Sequence, residues 1–121
     1  MINKKIKGSI MNFIRLSFRK ADVFQEIKKL SEHPTAKGPR GGKMWQCNQC
    51  FKPLKGKEVL VDHDEPVVPI GMKQADMSLD EYAQRLYCDV SNLQVLCSDC
   101  HKEKSYEEAH KRKLSQNQDK N

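Results

Sequence analysis

Two Cys-x-x-Cys pairs, Cys47/Cys50 and Cys97/Cys100, flank an Asp62-His63 dipeptide, and the second pair runs straight into His101. Thiolates at i and i+3 reach one ion around a tight turn, and two such turns complete a tetrahedron, the coordination of structural zinc. An acid and two histidines remain, Asp62, His63 and His101, and these suit an open divalent ion that polarises a substrate. Cys88 is the fifth cysteine and reads as a buried thiol outside the ligand set. A redox role for the Cys-x-x-Cys pairs competes with zinc, but it would leave His63 and His101 without a task. His33 and His110 lack such neighbours and read as structural or solvated side chains.

The rest of the chain must supply a small frame for these groups. With 121 residues, 37% hydrophobic and 31% charged, it predicts one thin-cored domain, the size class that commonly needs a metal staple. No apolar run approaches membrane-spanning length, and Ile10–Phe18 is interrupted by Asn12, Arg15 and Ser17, so neither a span nor a signal core is expected. The expected compartment is the reducing cytoplasm, where paired cysteines bind metal more often than they form disulfides. The net charge of +6 is unevenly placed: residues 1–57 hold 14 basic and 3 acidic side chains, residues 58–100 hold 2 basic and 9 acidic. A basic half beside an acidic centre fits a polyanion-binding arm next to a cation site, and equally a solvated leader.

Along the chain, residues 1–9 read as frayed, and Val23, Phe24, Ile27 and Leu30 place a helix over about residues 20–32. Pro34 to Gly42 reads as a loop carrying Lys37 and Arg40, with Lys43 just beyond. Short strands are expected at Lys43–Cys47, Glu58–His63 and Asn92–Leu96, with a turn at Pro53 to Gly56. Ser78-Leu79-Asp80-Glu81 is a capping-box signature that opens a helix with Leu79, Tyr82, Ala83 and Leu86 on one face. A last helix, capped at Ser98 or Asp99, should run to about Lys113, and residues 114–121 read as a disordered tail. If the Glu58–His63 and Asn92–Leu96 strands pair, and the last helix covers them, Asp62, His63 and His101 converge.

The ordered set Cys47-x-x-Cys50, Val61-Asp62-His63, Asn92-Leu93 and Leu96-Cys97-x-x-Cys100-His101-x-x-Lys104 resembles the HNH endonuclease family over about residues 43–105. The short basic chain is also similar to free-standing HNH endonucleases of bacteriophages. The resemblance implies an α+β fold: a small zinc-stapled ββα-metal finger (43–113) with a basic, partly helical N-terminal extension (1–42) and a helical insertion. The insertion accounts for the 29 positions between His63 and Asn92. By resemblance, His63 is the general base and Asn92 positions its loop. Asp62 and His101 would hold a catalytic Mg²⁺ or Mn²⁺, while Cys47, Cys50, Cys97 and Cys100 hold structural Zn²⁺. Asp64 is the alternative acidic ligand.

The implied activity is hydrolysis of phosphodiester bonds in double-stranded DNA, by nicking or double-strand cleavage. A phage origin would place it in the host cytoplasm, with a dimer or a packaging or replication protein as further partner. Lys37, Arg40, Lys43 and Lys104 are the expected nucleic-acid contacts, together with the N-terminal helix. The alternative from another class is a zinc-knuckle module that binds nucleic acid without chemistry.

Overall fold

The computed structural model describes residues 2–119. Four helices and two small antiparallel sheets form an α+β structure: α1 (Lys4–Ser17), α2 (Asp22–Leu30), β1 (Glu32–Lys37), β2 (Lys43–Gln46), β3 (Pro53–Leu54), β4 (Leu60–His63), α3 (Leu79–Leu86), β5 (Leu93–Leu96) and α4 (Ser98–Asp119). Strands β1, β2 and β3 pair in that order, and β4 pairs with β5. No helix among the described residues is long and apolar enough to cross a membrane.

The N-terminus departs from its expected frayed state. Asn3 caps α1 by accepting a 2.9 Å hydrogen bond from the Ile6 amide, a local start signal that outweighs the lysine-rich composition. Met11, Ile14 and Phe18 then recur at helical spacing and turn into the protein. Helix α2 begins at Asp22, so the region expected as one helix over 20–32 holds the last residue of a short 3₁₀ turn (Phe18–Lys20), the helix and the start of β1.

The predicted Pro34–Gly42 loop is mostly a hairpin. Pro34 cannot donate to a ladder and is confined to edges and bulges; β1 is an edge strand, and its register with β2 shifts between Glu32 and Lys37. His33 Nδ1 accepts from the amides of Ala36 at 2.9 Å and Thr35 at 3.2 Å, occupying donors that the bulge withdraws from the ladder. Gly41 takes a positive φ of 75° at the tip, where a side chain would be strained. The expected turn after Pro53 likewise contains the two-residue strand β3.

Two apolar clusters meet at the β4–β5 hairpin. Met11, Phe18, Ile27, Met77, Tyr82, Leu86 and Leu93 form one, so the N-terminal extension and the 77–93 region share a core. Cys47, Leu54, Val95, Leu96, Cys97 and Cys100 form the other, and Val61 packs against both. Trp45 joins the second cluster and carries the Lys28 ammonium 5.4 Å from its ring centre, a cation–π contact that ties α2 to β2. Ser78 caps α3 as expected, accepting from the Glu81 amide at 3.1 Å. Cys88 is half-buried against the first cluster. Helix α4 continues six residues past the expected end at Lys113, to Asp119; residues 120–121 of the expected tail lie outside the described residues.

Two arginines hold the irregular segment after β4. Arg85 donates to the carbonyls of Val67 (2.7 Å) and Pro66 (3.1 Å), and Arg112 to those of Val68 (2.6 Å) and Pro69 (3.2 Å). These carbonyls belong to a Pro-interrupted stretch that offers no ladder partner. Arg85→Ala should therefore destabilise the protein by about 1.5–3 kcal/mol, the range for hydrogen bonds to a charged group, read from the shift of its urea midpoint. A shift below a few tenths of a kcal/mol would show that the segment does not depend on this arginine.

Candidate metal centre and reactive cleft

The four sulfurs of Cys47, Cys50, Cys97 and Cys100 lie within 4.8 Å of one another, and could hold a metal ion such as zinc. Cys50 Sγ and Cys97 Sγ are 3.8 Å apart. A tetrahedral ion with bonds of about 2.3 Å spaces its ligands by about 3.8 Å, whereas a disulfide requires about 2.05 Å. Backbone shapes each knuckle: the Phe51 amide donates to Cys47 O (3.0 Å) with Phe51 at a φ of 65°, and the Cys100 amide points at Cys97 Sγ (3.4 Å). The Cys97 amide reaches Cys47 Sγ across the two knuckles at 3.4 Å.

Burial pushes the Cys47 thiol up, but backbone amides at Cys50, Cys97 and Gln49 outweigh it and bring the group down to about 6. Cys100 moves the other way, raised by burial and by the sulfurs around it. One thiolate favoured and a neighbour suppressed is the behaviour of a cluster that needs a cation before all four can ionise.

The hairpin register carries order from this centre to Asp62. Asp62 stands opposite Gln94 and His63 opposite Leu93, at the end of β4. Asn48, inside the first knuckle, donates through Nδ2 to Gln94 Oε1 (3.1 Å), and Gln94 Nε2 donates to Asp62 Oδ2 (3.0 Å). The two bonds fix the orientation of the Gln94 amide and with it the Asp62 carboxylate. Asp62 Oδ1 then faces His101 Nε2 at 3.7 Å. Asp64, the alternative ligand, is exposed and does not line this cleft.

His63, the last residue of β4, lines the same cleft as Asp62 while reaching α3. Its Nε2 lies 2.8 Å from the Leu86 carbonyl at the end of α3. Carbonyls in the last turn of a helix lack an intrahelical partner. Because a carbonyl can only accept, Nε2 carries the proton and a neutral ring leaves Nδ1 as a bare acceptor. Phe18 packs on the imidazole with ring centres 5.2 Å apart.

Asn92 closes the loop from behind. Its Oδ1 accepts from the Glu65 amide (2.9 Å), its Nδ2 donates to Glu65 O (3.3 Å), and its carbonyl accepts from the Asp64 amide (2.8 Å). Asn92 thus ties the loop at Asp64 and Glu65 to the start of β5. Asn92→Ala should cost about 1–3 kcal/mol because it leaves the Glu65 groups unpaired. Asn92→Asp keeps the acceptor and should lose less; equal losses in thermal unfolding would contradict the clamp.

Asp62, His63, His101 and Lys104 line one cleft of about 360 Å³, with Arg15, Phe18, Arg19, Tyr82, Leu86 and Glu108 among its other walls. Comparison with family models, curated proteins and solved structures finds no match to this chain. The assignment of the cleft rests on its own chemistry.

Lys104 occupies a different position from the phosphate contact expected of it. Its ammonium binds Asp62 Oδ2 (3.0 Å), the His63 carbonyl (2.8 Å) and the Glu108 carboxylate, and the side chain is 17% exposed. Burial alone would lower its pKa, but Glu108 and Asp62 raise it, so the lysine stays charged as a strut between α4 and β4. Lys37, Arg40 and Lys43 do not line the cleft: they lie on the β1–β2 hairpin, where Lys43 pairs with Glu32 at 3.3 Å. Gln94, Phe18 and the Leu86 carbonyl had no sequence signal, because each acts through strand register or tertiary packing.

Proposed function

We propose that the chain is a metal-dependent DNA endonuclease of the HNH type. The observation that carries the reading is the convergence of Asp62, His63 and His101 on one cleft, with the bare Nδ1 of His63 set by the Leu86 carbonyl. The order β4, β5, α4 is that of a ββα-metal finger, and the cysteine quartet at its base supports a structural zinc. Asp62 and His101 would hold the catalytic Mg²⁺ or Mn²⁺. Such an ion neutralises charge developing on the phosphate and on the leaving 3′ oxygen.

The protein's own groups supply the remaining steps. His63 Nδ1 removes a proton from water, whose oxygen forms a bond to phosphorus as the bond from phosphorus to the 3′ oxygen breaks. The products are a 5′ phosphate and a 3′ hydroxyl, the latter taking its proton from solvent. Lys104 and Gln94 keep Asp62 in place from two directions, which makes them positioning residues. A single finger cuts one strand, so double-strand cleavage requires a second copy or a second event.

Incubation with supercoiled plasmid tests the reading: nicking in Mg²⁺ or Mn²⁺ and none in EDTA is expected. DNA binding without scission in either ion would instead support a non-catalytic zinc-knuckle module.

A further inference from the structure

The four arginines outside the β1–β2 hairpin divide sharply by use. Arg85 and Arg112 are occupied by backbone carbonyls of residues 66–69. Arg15 and Arg19 are exposed and line the same cleft as Asp62, His63 and His101. Among the described residues neither meets a carboxylate; the Arg15 guanidinium has only the Asn12 side-chain oxygen, at 2.8 Å. Of the three cations that line the cleft, Lys104 is paired with its two carboxylates, Asp62 and Glu108, which leaves the two arginines free for an outside anion.

The positions are set from inside. Phe18 is 5% exposed, wedged between His63 at 5.2 Å and Tyr87 at 5.5 Å, and it pins the end of α1 to the cleft. The hydroxyls of Ser17 and Tyr87 are hydrogen-bonded at the same junction. Residues 15 and 19 flank this anchor four positions apart, so both stand on the cleft side of the helix end, about one turn from each other. From residue 2 to residue 21 the chain has no acidic side chain to compete for them.

We propose that Arg15 and Arg19 form a phosphate clamp, built by the N-terminal extension, that holds the DNA backbone beside the bond to be cut. Each guanidinium offers a planar fork of donors matched to a phosphodiester's two free oxygens. The cleft is thereby divided: the Asp62/His101 side takes a cation, the Arg15/Arg19 side takes the anion, and His63 stands between them. The extension is therefore part of the substrate site rather than a leader. This inference rests on the nuclease reading.

The test compares wild type, the Arg15→Gln/Arg19→Gln double variant, the Arg15→Lys/Arg19→Lys pair and Lys29→Gln, an exposed control on α2. Binding to a fluorescein-labelled DNA duplex is measured in EDTA as a function of salt, and plasmid nicking in Mn²⁺. Loss of two phosphate contacts should reduce the slope of log K against log salt by about 1.8, from about 0.9 per contact. Affinity of the glutamine pair should fall on the order of tenfold at moderate salt, with the lysine pair recovering much of it and Lys29→Gln near wild type. If wild type binds and cuts while the glutamine pair keeps its affinity and slope, the clamp is wrong and the nuclease reading survives. If wild type neither binds nor cuts, the reading itself falls and the clamp with it. Unchanged thermal unfolding of the glutamine pair excludes misfolding as the cause of a loss.

Discussion

Replacing His63 by alanine is expected to lower the rate of metal-dependent nicking by about 10²–10⁴, the range that a general base contributes. DNA affinity should stay close to wild type, because His63 Nε2 is taken by the Leu86 carbonyl and in the proposed mechanism Nδ1 serves the attacking water rather than the DNA backbone. The residue is half-buried against Phe18, so the variant also loses packing, and His63→Gln serves as the check. Glutamine retains a donor for Leu86 O but is a far weaker base, so both variants should be slow while only alanine loses stability. Cutting at the wild-type rate by either would remove His63 from the chemistry.

Loss of a knuckle sulfur should have an effect of similar size on stability. Structural zinc contributes about 10–16 kcal/mol to the folding of small zinc-dependent units, comparable with the whole stability of a typical domain, about 5–15 kcal/mol. The quartet also anchors the second apolar cluster, where three of its sulfurs are buried among Leu54, Val95 and Leu96. Cys97→Ser, or prolonged treatment with a strong zinc chelator, should abolish the cooperative thermal transition in that half of the molecule. Cys88→Ser removes a thiol that is outside the quartet and should shift the transition by only a few degrees. If Cys97→Ser melts within a few degrees of wild type, the cysteines are not a structural metal site.

Both effects concern residues that could be named from spacing alone. The Cys-x-x-Cys pairs, Asp62-His63 and His101 are chemistry-bearing types at short, fixed separations, and such patterns survive in a linear reading. The capping box at Ser78 and the strand ending at His63 were legible for the same reason: the signal and the structure are both local. What was not legible depends on long-range packing. Nothing in the order of residues says that Phe18 rests on His63, or that Gln94 joins Asn48 to Asp62, since these partners are 45, 46 and 32 positions apart. Pro34 and the glycines near it gave a true local tendency, but pairing with β2 absorbed it as a bulge and a tight tip. The ion pairs of Lys104 with Asp62 and Glu108 were not legible, because charge on a helix face looks alike whether it faces solvent or a half-buried carboxylate. The basic N-terminal segment could be read as an arm or as a leader because its anchoring stripe, Met11, Ile14 and Phe18, is interleaved with exposed Ile6, Phe13 and Leu16.

A structural metal at the cysteines and the catalytic metal proposed at Asp62 and His101 should be separable, and that separation is most directly measured with Asp62→Asn. Wild type and variant are purified, their zinc counted, and their scission of supercoiled plasmid followed while Mn²⁺ is titrated in. The expected result is about one retained zinc per chain in both proteins, with Mn²⁺-dependent nicking in wild type and little or none in the variant. Nicking by the variant with the same Mn²⁺ dependence as wild type would contradict the account.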